Sequence, residues 1–100
     1  MSDQDMIVAL HPDPAKQGTR VTKATYDSYR AALLQVIPAA ADGVPFTALR
    51  ELVLPHLPAG LSETTSPGWW TTTVKLDLEA RGLIERVPGS KPQMVRRTAT

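Results

Sequence analysis

One hundred residues, 42% of them hydrophobic, make one ordinary domain with a modest core, and the absence of cysteine excludes disulfides and thiolate metal sites. No stretch approaches the length of a membrane span, and a formal charge of +1 lacks the strong basicity of a dedicated nucleic-acid binder. That charge is unevenly spread: residues 1–74 hold five Lys/Arg against seven Asp/Glu, and residues 75–100 hold six against three.

The first twenty-one residues read as a partly extended arm. Met1 to Asp5 is acidic, and the apolar run Met6 to Leu10 is too short for a signal-peptide core but suits a short strand. A cytoplasmic, bacterial-type protein is the plain reading. His11-Pro12-Asp13-Pro14 ends the strand, because proline removes ladder donors and fixes φ, and Lys16 to Arg20 is expected as loop.

A first helix is predicted after Thr22, a capping residue, and runs to Ile37 before Pro38. Tyr26, Tyr29, Leu33, Val36 and Ile37 recur at helical spacing and define its buried face. Val44-Pro45-Phe46 reads as a short strand. Thr47 then caps a second helix with Leu49, Leu52, Val53 and Leu57 inward, weakened at Pro55. Pro58 to Thr65 is expected as a long turn.

Ser66-Pro67 opens a third helix that Gly82 stops. At about 100° per residue, Trp70, Val74 and Leu78 form one apolar stripe, and Trp69, Thr73, Leu76 and Ala80 a second. Asp77 and Arg81 lie between them at i,i+4 spacing, either a buried specificity device or, by default, a surface ion pair worth little. Thr72, Lys75 and Glu79, with Thr71 at the margin, are expected to face solvent. Leu83 to Val87 then pairs with Gln93 to Arg97 across a four-residue loop. That register sets Glu85 opposite Arg96 and Val87 opposite Met94.

Gly68 to Gln93, with Tyr26-Asp27 and Arg30, resembles an uncharacterised bacterial family of short winged-helix-like proteins, over roughly residues 20–98. Leu78-Glu79-Ala80-Arg81-Gly82-Leu83-Ile84 carries the broader resemblance, to the winged helix-turn-helix superfamily. The resemblance implies an α+β winged helix-turn-helix, three helices plus a C-terminal β-hairpin wing. Residues 1–21 are then the arm and residues 22–100 the winged-helix domain. It also implies a helix laid in the major groove of double-stranded DNA with the wing on the backbone.

Two function classes follow. In the first, Thr71, Thr72 and Lys75 enter a groove while Arg86, Ser90, Lys91, Arg96 and Arg97 contact phosphates; the bland alternative is a solvated helix face and hairpin. The outward strip includes Glu79 and no Asn, Gln or Arg of the kind that reads base edges. In the second, the chain is a protein-interaction or dimerisation module with no nucleic-acid role. Trp69 and Leu76 then bind the partner, itself or another protein. Trp69 and Trp70 point different ways, so one is core and the other an anchor or partly covered. His11 and His56 stand apart from any ligand cluster, Thr71–Thr73 lacks a base, and Gly89-Ser90-Lys91 lacks the spacing and following helix of a phosphate loop. No enzyme, cofactor, small-molecule substrate or membrane contact is therefore expected.

Overall fold

Two strands, β1 (Met6–Ala9) and β2 (Thr19–Thr22), open the fold as an antiparallel hairpin with Ile7 opposite Val21 and Ala9 opposite Thr19. The computed structural model describes residues 5–13, 15–39, 42–89 and 93–98. Residues 19–22, expected partly as loop, are thus a strand, because Met6–Ala9 needs a ladder partner and the turn brings one back. Alternation puts Ala9 and Val21 inward, where they are buried, and leaves Met6, Val8 and Leu10 about 40% exposed on the other side.

Helix α1 (Lys23–Val36) continues directly from β2. Its Lys23 N–H donates to the Asp5 carbonyl at 2.8 Å; Thr22 sits at the cap position but its side chain makes no capping bond. Tyr26, Tyr29, Ala32, Leu33 and Ile37 are buried, while Val36 is only half-buried. Burying each such large apolar side chain contributes roughly 1.5–3 kcal/mol. After α1, strand β3 (Val44–Pro45) follows Gly43, whose φ of +66° belongs to the left-handed region. A Cβ there would lie 2.3 Å from the Val95 carbonyl oxygen, so only glycine permits this approach.

A 3₁₀ turn (Phe46–Ala48) leads into the short α2 (Leu49–Val53), which tightens again to 3₁₀ at Leu54–His56. Thr47 lies in the first of these turns and caps nothing; Pro55 limits α2 by removing a donor and crowding the preceding turn. Leu49 and Val53 are buried, but Leu52 is 38% exposed rather than inward. The expected long turn contains one further helical turn, α3 (Leu61–Thr64), entered through Gly60 at φ +81°. Next comes α4 (Pro67–Ala80). It ends on the pattern that a left-handed glycine allows: Gly82 at φ +77°, with Leu83 N–H to the Leu78 carbonyl and Gly82 N–H to Glu79.

Strands β4 (Ile84–Arg86) and β5 (Met94–Arg97) pair with Glu85 opposite Arg96, and Val87 N–H reaches the Met94 carbonyl at 2.9 Å. This is the expected register. β3 adds to the far side of β5, giving the order β3-β5-β4. Among the described residues the fold is therefore α+β, with four helices and two small antiparallel sheets. The helix count exceeds the expected three because α3 is a single turn with no periodicity to announce it. The core lies between α1, α2 and α4, closed by Ile84 and Val95 of the second sheet and by the N-terminal hairpin.

Candidate interaction surface on α4

Helix α4 buries charge and exposes apolar surface. Val74 and Leu78 are fully buried, as their stripe requires, but Thr71, Lys75 and Asp77 are also at most 3% exposed. The expectation that Thr71 and Lys75 face solvent is therefore corrected: both point into the domain, and Glu79 is half-buried. The reason is that α4 carries two i,i+4 ion pairs, Lys75–Glu79 and Asp77–Arg81, each completed by groups from another element. A paired charge tolerates burial that a lone one does not.

On one flank, Asp77 collects donors from three places. Arg81 Nε lies 2.9 Å from both carboxylate oxygens, the Tyr26 hydroxyl donates to Oδ2, and the Leu10 N–H donates to Oδ1 at 2.8 Å. Arg81 also donates through Nη2 to the Val8 carbonyl at 3.2 Å. Asp5, Ile7 and Ala9 direct their backbone groups toward β2, so Val8 and Leu10 direct theirs to the opposite edge of β1. The ion pair thus meets one edge N–H and one edge C=O, as a third strand would. Burial, reinforced by the Asp77 carboxylate, pushes the Tyr26 phenol up to about 12. The bond from Asp77 raises the Arg81 guanidinium above its ordinary value. The default of a surface ion pair is replaced by a buried anchor for the hairpin.

On the other flank, the Lys75 ammonium bonds Glu79, donates to Gln93 Oε1 at 2.9 Å and lies 4.6 Å from the centre of the Phe46 ring. Burial lowers its pKa, against the opposing pull of Glu79. Arg86, exposed, returns across this flank to Glu79 at 3.2 Å. Arg96 bonds Glu85 at 2.6 Å, the expected cross-strand pair. Arg97 does not simply project outward: its Nε donates to the Ile37 carbonyl at 2.8 Å, serving the end of α1. Ser90 and Lys91 lie outside the described residues. Three arginines of the expected phosphate-binding set are therefore each engaged within the chain.

What α4 offers outward is its second stripe. Trp69 is 49% exposed, Thr72 is exposed, and Thr73, Leu76 and Ala80 are half-buried. None of these five residues is charged. Trp69 is held edge-on against Trp70 (centroids 5.3 Å apart), and Trp70 stacks on Tyr29 at 5.5 Å, so the exposed indole rests on a rigid aromatic row. The structure brings Trp69 and Leu76 onto one surface with Thr72; it separates Thr72 from Thr71 and Lys75. Thr73 and Ala80 complete the surface, and their place in the stripe was the only signal for them. Among the described residues no three His, Asp or Glu side chains gather as metal ligands, and no helix is long and apolar enough to cross a membrane.

Residues 6–95 match the model of a family of unknown function, DUF6958. The chain belongs to that family. The DUF6958 match begins at β1, so it takes in the N-terminal hairpin as well as the region from residue 20 that the sequence resemblance covered. No curated protein and no solved structure gives a significant match.

Proposed function

We propose that this chain is a protein-interaction module on a winged-helix scaffold and that the outer face of α4 is its recognition surface. The scaffold reading is supported by the order α1, β3, α2, α4, β4, β5 and by β3 lying against β5. The observation that carries the functional reading is the orientation of α4. Lys75 and Thr71, the groups a groove-reading helix would extend, are buried, while Trp69, Thr72, Thr73, Leu76 and Ala80 face out without a charge among them. DNA affinity rests on cations free to replace counterions, and Arg86, Arg96 and Arg97 are held by Glu79, Glu85 and a helix-end carbonyl. A half-exposed tryptophan held edge-on against a second tryptophan, at one end of a run of uncharged residues, is the kind of anchor that protein partners use.

A photo-reactive phenylalanine analogue at Thr72 tests this in cells expressing the full chain. Irradiation should give a polypeptide adduct that is absent when the probe replaces exposed Gln35 on α1. In parallel, duplex DNA titrated at low salt should leave the amide signals of α4 and the C-terminal hairpin unmoved. Absence of any polypeptide adduct, together with salt-sensitive shifts in that hairpin, would return the function to double-stranded DNA.

A further inference from the structure

We infer that the outer edge of β2 binds an extended segment of another protein, added as a third strand to the N-terminal hairpin, with an acidic side chain beside Arg20. In this hairpin Thr19, Val21 and Lys23 direct their backbone groups to β1. Gly18, Arg20 and Thr22 therefore direct theirs the other way, about 7 Å apart along the strand. Among the described residues, the Gly18 carbonyl, both backbone groups of Arg20 and the Thr22 N–H have no partner. The two edges of the hairpin thus differ. Asp77 and Arg81 of α4 close the edge of β1, and no described strand or side chain closes that of β2. Gly18, Thr19 and Arg20 are exposed, so the row of groups is open to solvent. Alternating carbonyls and N–H groups at this spacing select an extended backbone.

Two features set what that segment carries. Arg20 stands exposed opposite Val8 with no ion-pair partner among the described residues, whereas Arg81, Arg86 and Arg96 each hold a carboxylate. An acid directly beside Arg20 on the added strand supplies the missing cross-strand pair. Two residues along, where β2 runs into α1, lies a cavity of about 200 Å³ lined by Asp5, Thr22, Lys23, Ala24 and Asp27. It has room for a polar side chain of the same segment, and such alternate pockets give an added strand its specificity. Charge also decides against a second copy as the occupant. The antiparallel register that uses the whole edge pairs Gly18 with Thr22 and sets Arg20 beside Arg20, which repel. This edge lies apart from the outer face of α4 and is tested independently of it.

The test is an amide-shift titration of the full chain with two capped nonapeptides. One alternates threonine and valine around a central glutamate, and the other carries lysine at the centre. At millimolar glutamate peptide the Arg20 and Thr22 amides should move downfield, while those of Thr19 and Val21, already bonded to β1, move little. The lysine peptide should bind about fivefold more weakly, and R20E should invert that preference. T22P removes one edge donor. Thr22 has a φ of −65°, which proline shares, and its side chain makes no capping bond, so this variant should keep the wild-type melting temperature. Its affinity for the glutamate peptide should fall about fivefold, the loss of one hydrogen bond. A sharp drop in the melting temperature of T22P would reveal an internal partner for that N–H and overturn the inference, as would unmoved Arg20 and Thr22 amides. Equal binding of the two peptides would overturn the acidic partner. Movement of the same amides with protein concentration alone would give the edge to a second copy instead.

Discussion

The two flanks of α4 bury opposite charges by different means. On the hairpin side the anion Asp77 is satisfied by a phenol, a guanidinium and a backbone N–H that lies 67 residues away in the chain. On the sheet side the cation Lys75 is satisfied by one carboxylate, one amide and an aromatic ring. The first network joins side chains to main chain and so fixes where a whole strand lies. The second joins side chains to one another and fixes little beyond itself, since β3 and β4 are already held to β5 by their ladders. A buried charge that serves backbone groups organises a fold; one that serves only side chains fills it.

The largest test of that contrast is Asp77→Ala. It leaves the buried Tyr26 hydroxyl and the Leu10 N–H without their acceptor, a loss expected at about 2–4 kcal/mol, while exposed Arg81 turns to solvent. Urea denaturation should show the loss, and amide exchange at Leu10 should accelerate before the core opens. A cost under about 1 kcal/mol would mean the hairpin docks without the carboxylate. Next comes Gly43→Ala, which asks what fastens the sheet flank. Left-handed strain together with the collision at the Val95 carbonyl should cost about 2–4 kcal/mol, read as a lower melting temperature.

Lys75→Met keeps the volume and removes the charge. Glu79 retains Arg86, so the expected cost is only about 1–2 kcal/mol by the same denaturation. A cost equal to that of Asp77→Ala would erase the distinction between the flanks. The smallest effect belongs to Tyr26→Phe, about 1 kcal/mol at neutral pH. The phenol titrates near 12 in the fold against 10.0 when free. Its contribution is therefore complete below pH 10 and is lost as pH climbs from 10 toward 12. The stability gap between wild type and variant, followed by alkaline denaturation, should close over that window.

Helices α1 and α4 and the C-terminal hairpin were legible in the sequence, because apolar periodicity ran between strong stops at Pro38, Pro67 and Gly82. The Glu85–Arg96 pair was legible too, since loop length sets hairpin register. Other features lacked a local signal. β2 is four residues of mixed polarity that become a strand only by lying beside β1, and α3 is too short for any period. The orientation of α4 escapes a sequence reading for a different reason. An angular count sees polarity and assigns Lys75 to solvent; it does not see Phe46 and Gln93 arriving from elsewhere to receive it. The nearest clue was the interleaving of two opposite i,i+4 ion pairs on one short helix. It makes two charged side chains cheap to bury and leaves the uncharged stripe to face out.

The long span between Leu10 and Asp77 sets a timetable for synthesis. At roughly 5–20 residues per second, 67 residues separate the two groups by about 3–13 s of elongation. For that interval β1 exists without α4, with its outer edge unpaired and its inward residues uncovered. An emerging chain in this state is open to pairing with another nascent strand. Anything that slows translation between Leu10 and Asp77 lengthens that exposure. Two chains of equal final stability could then differ in yield through codon choice alone.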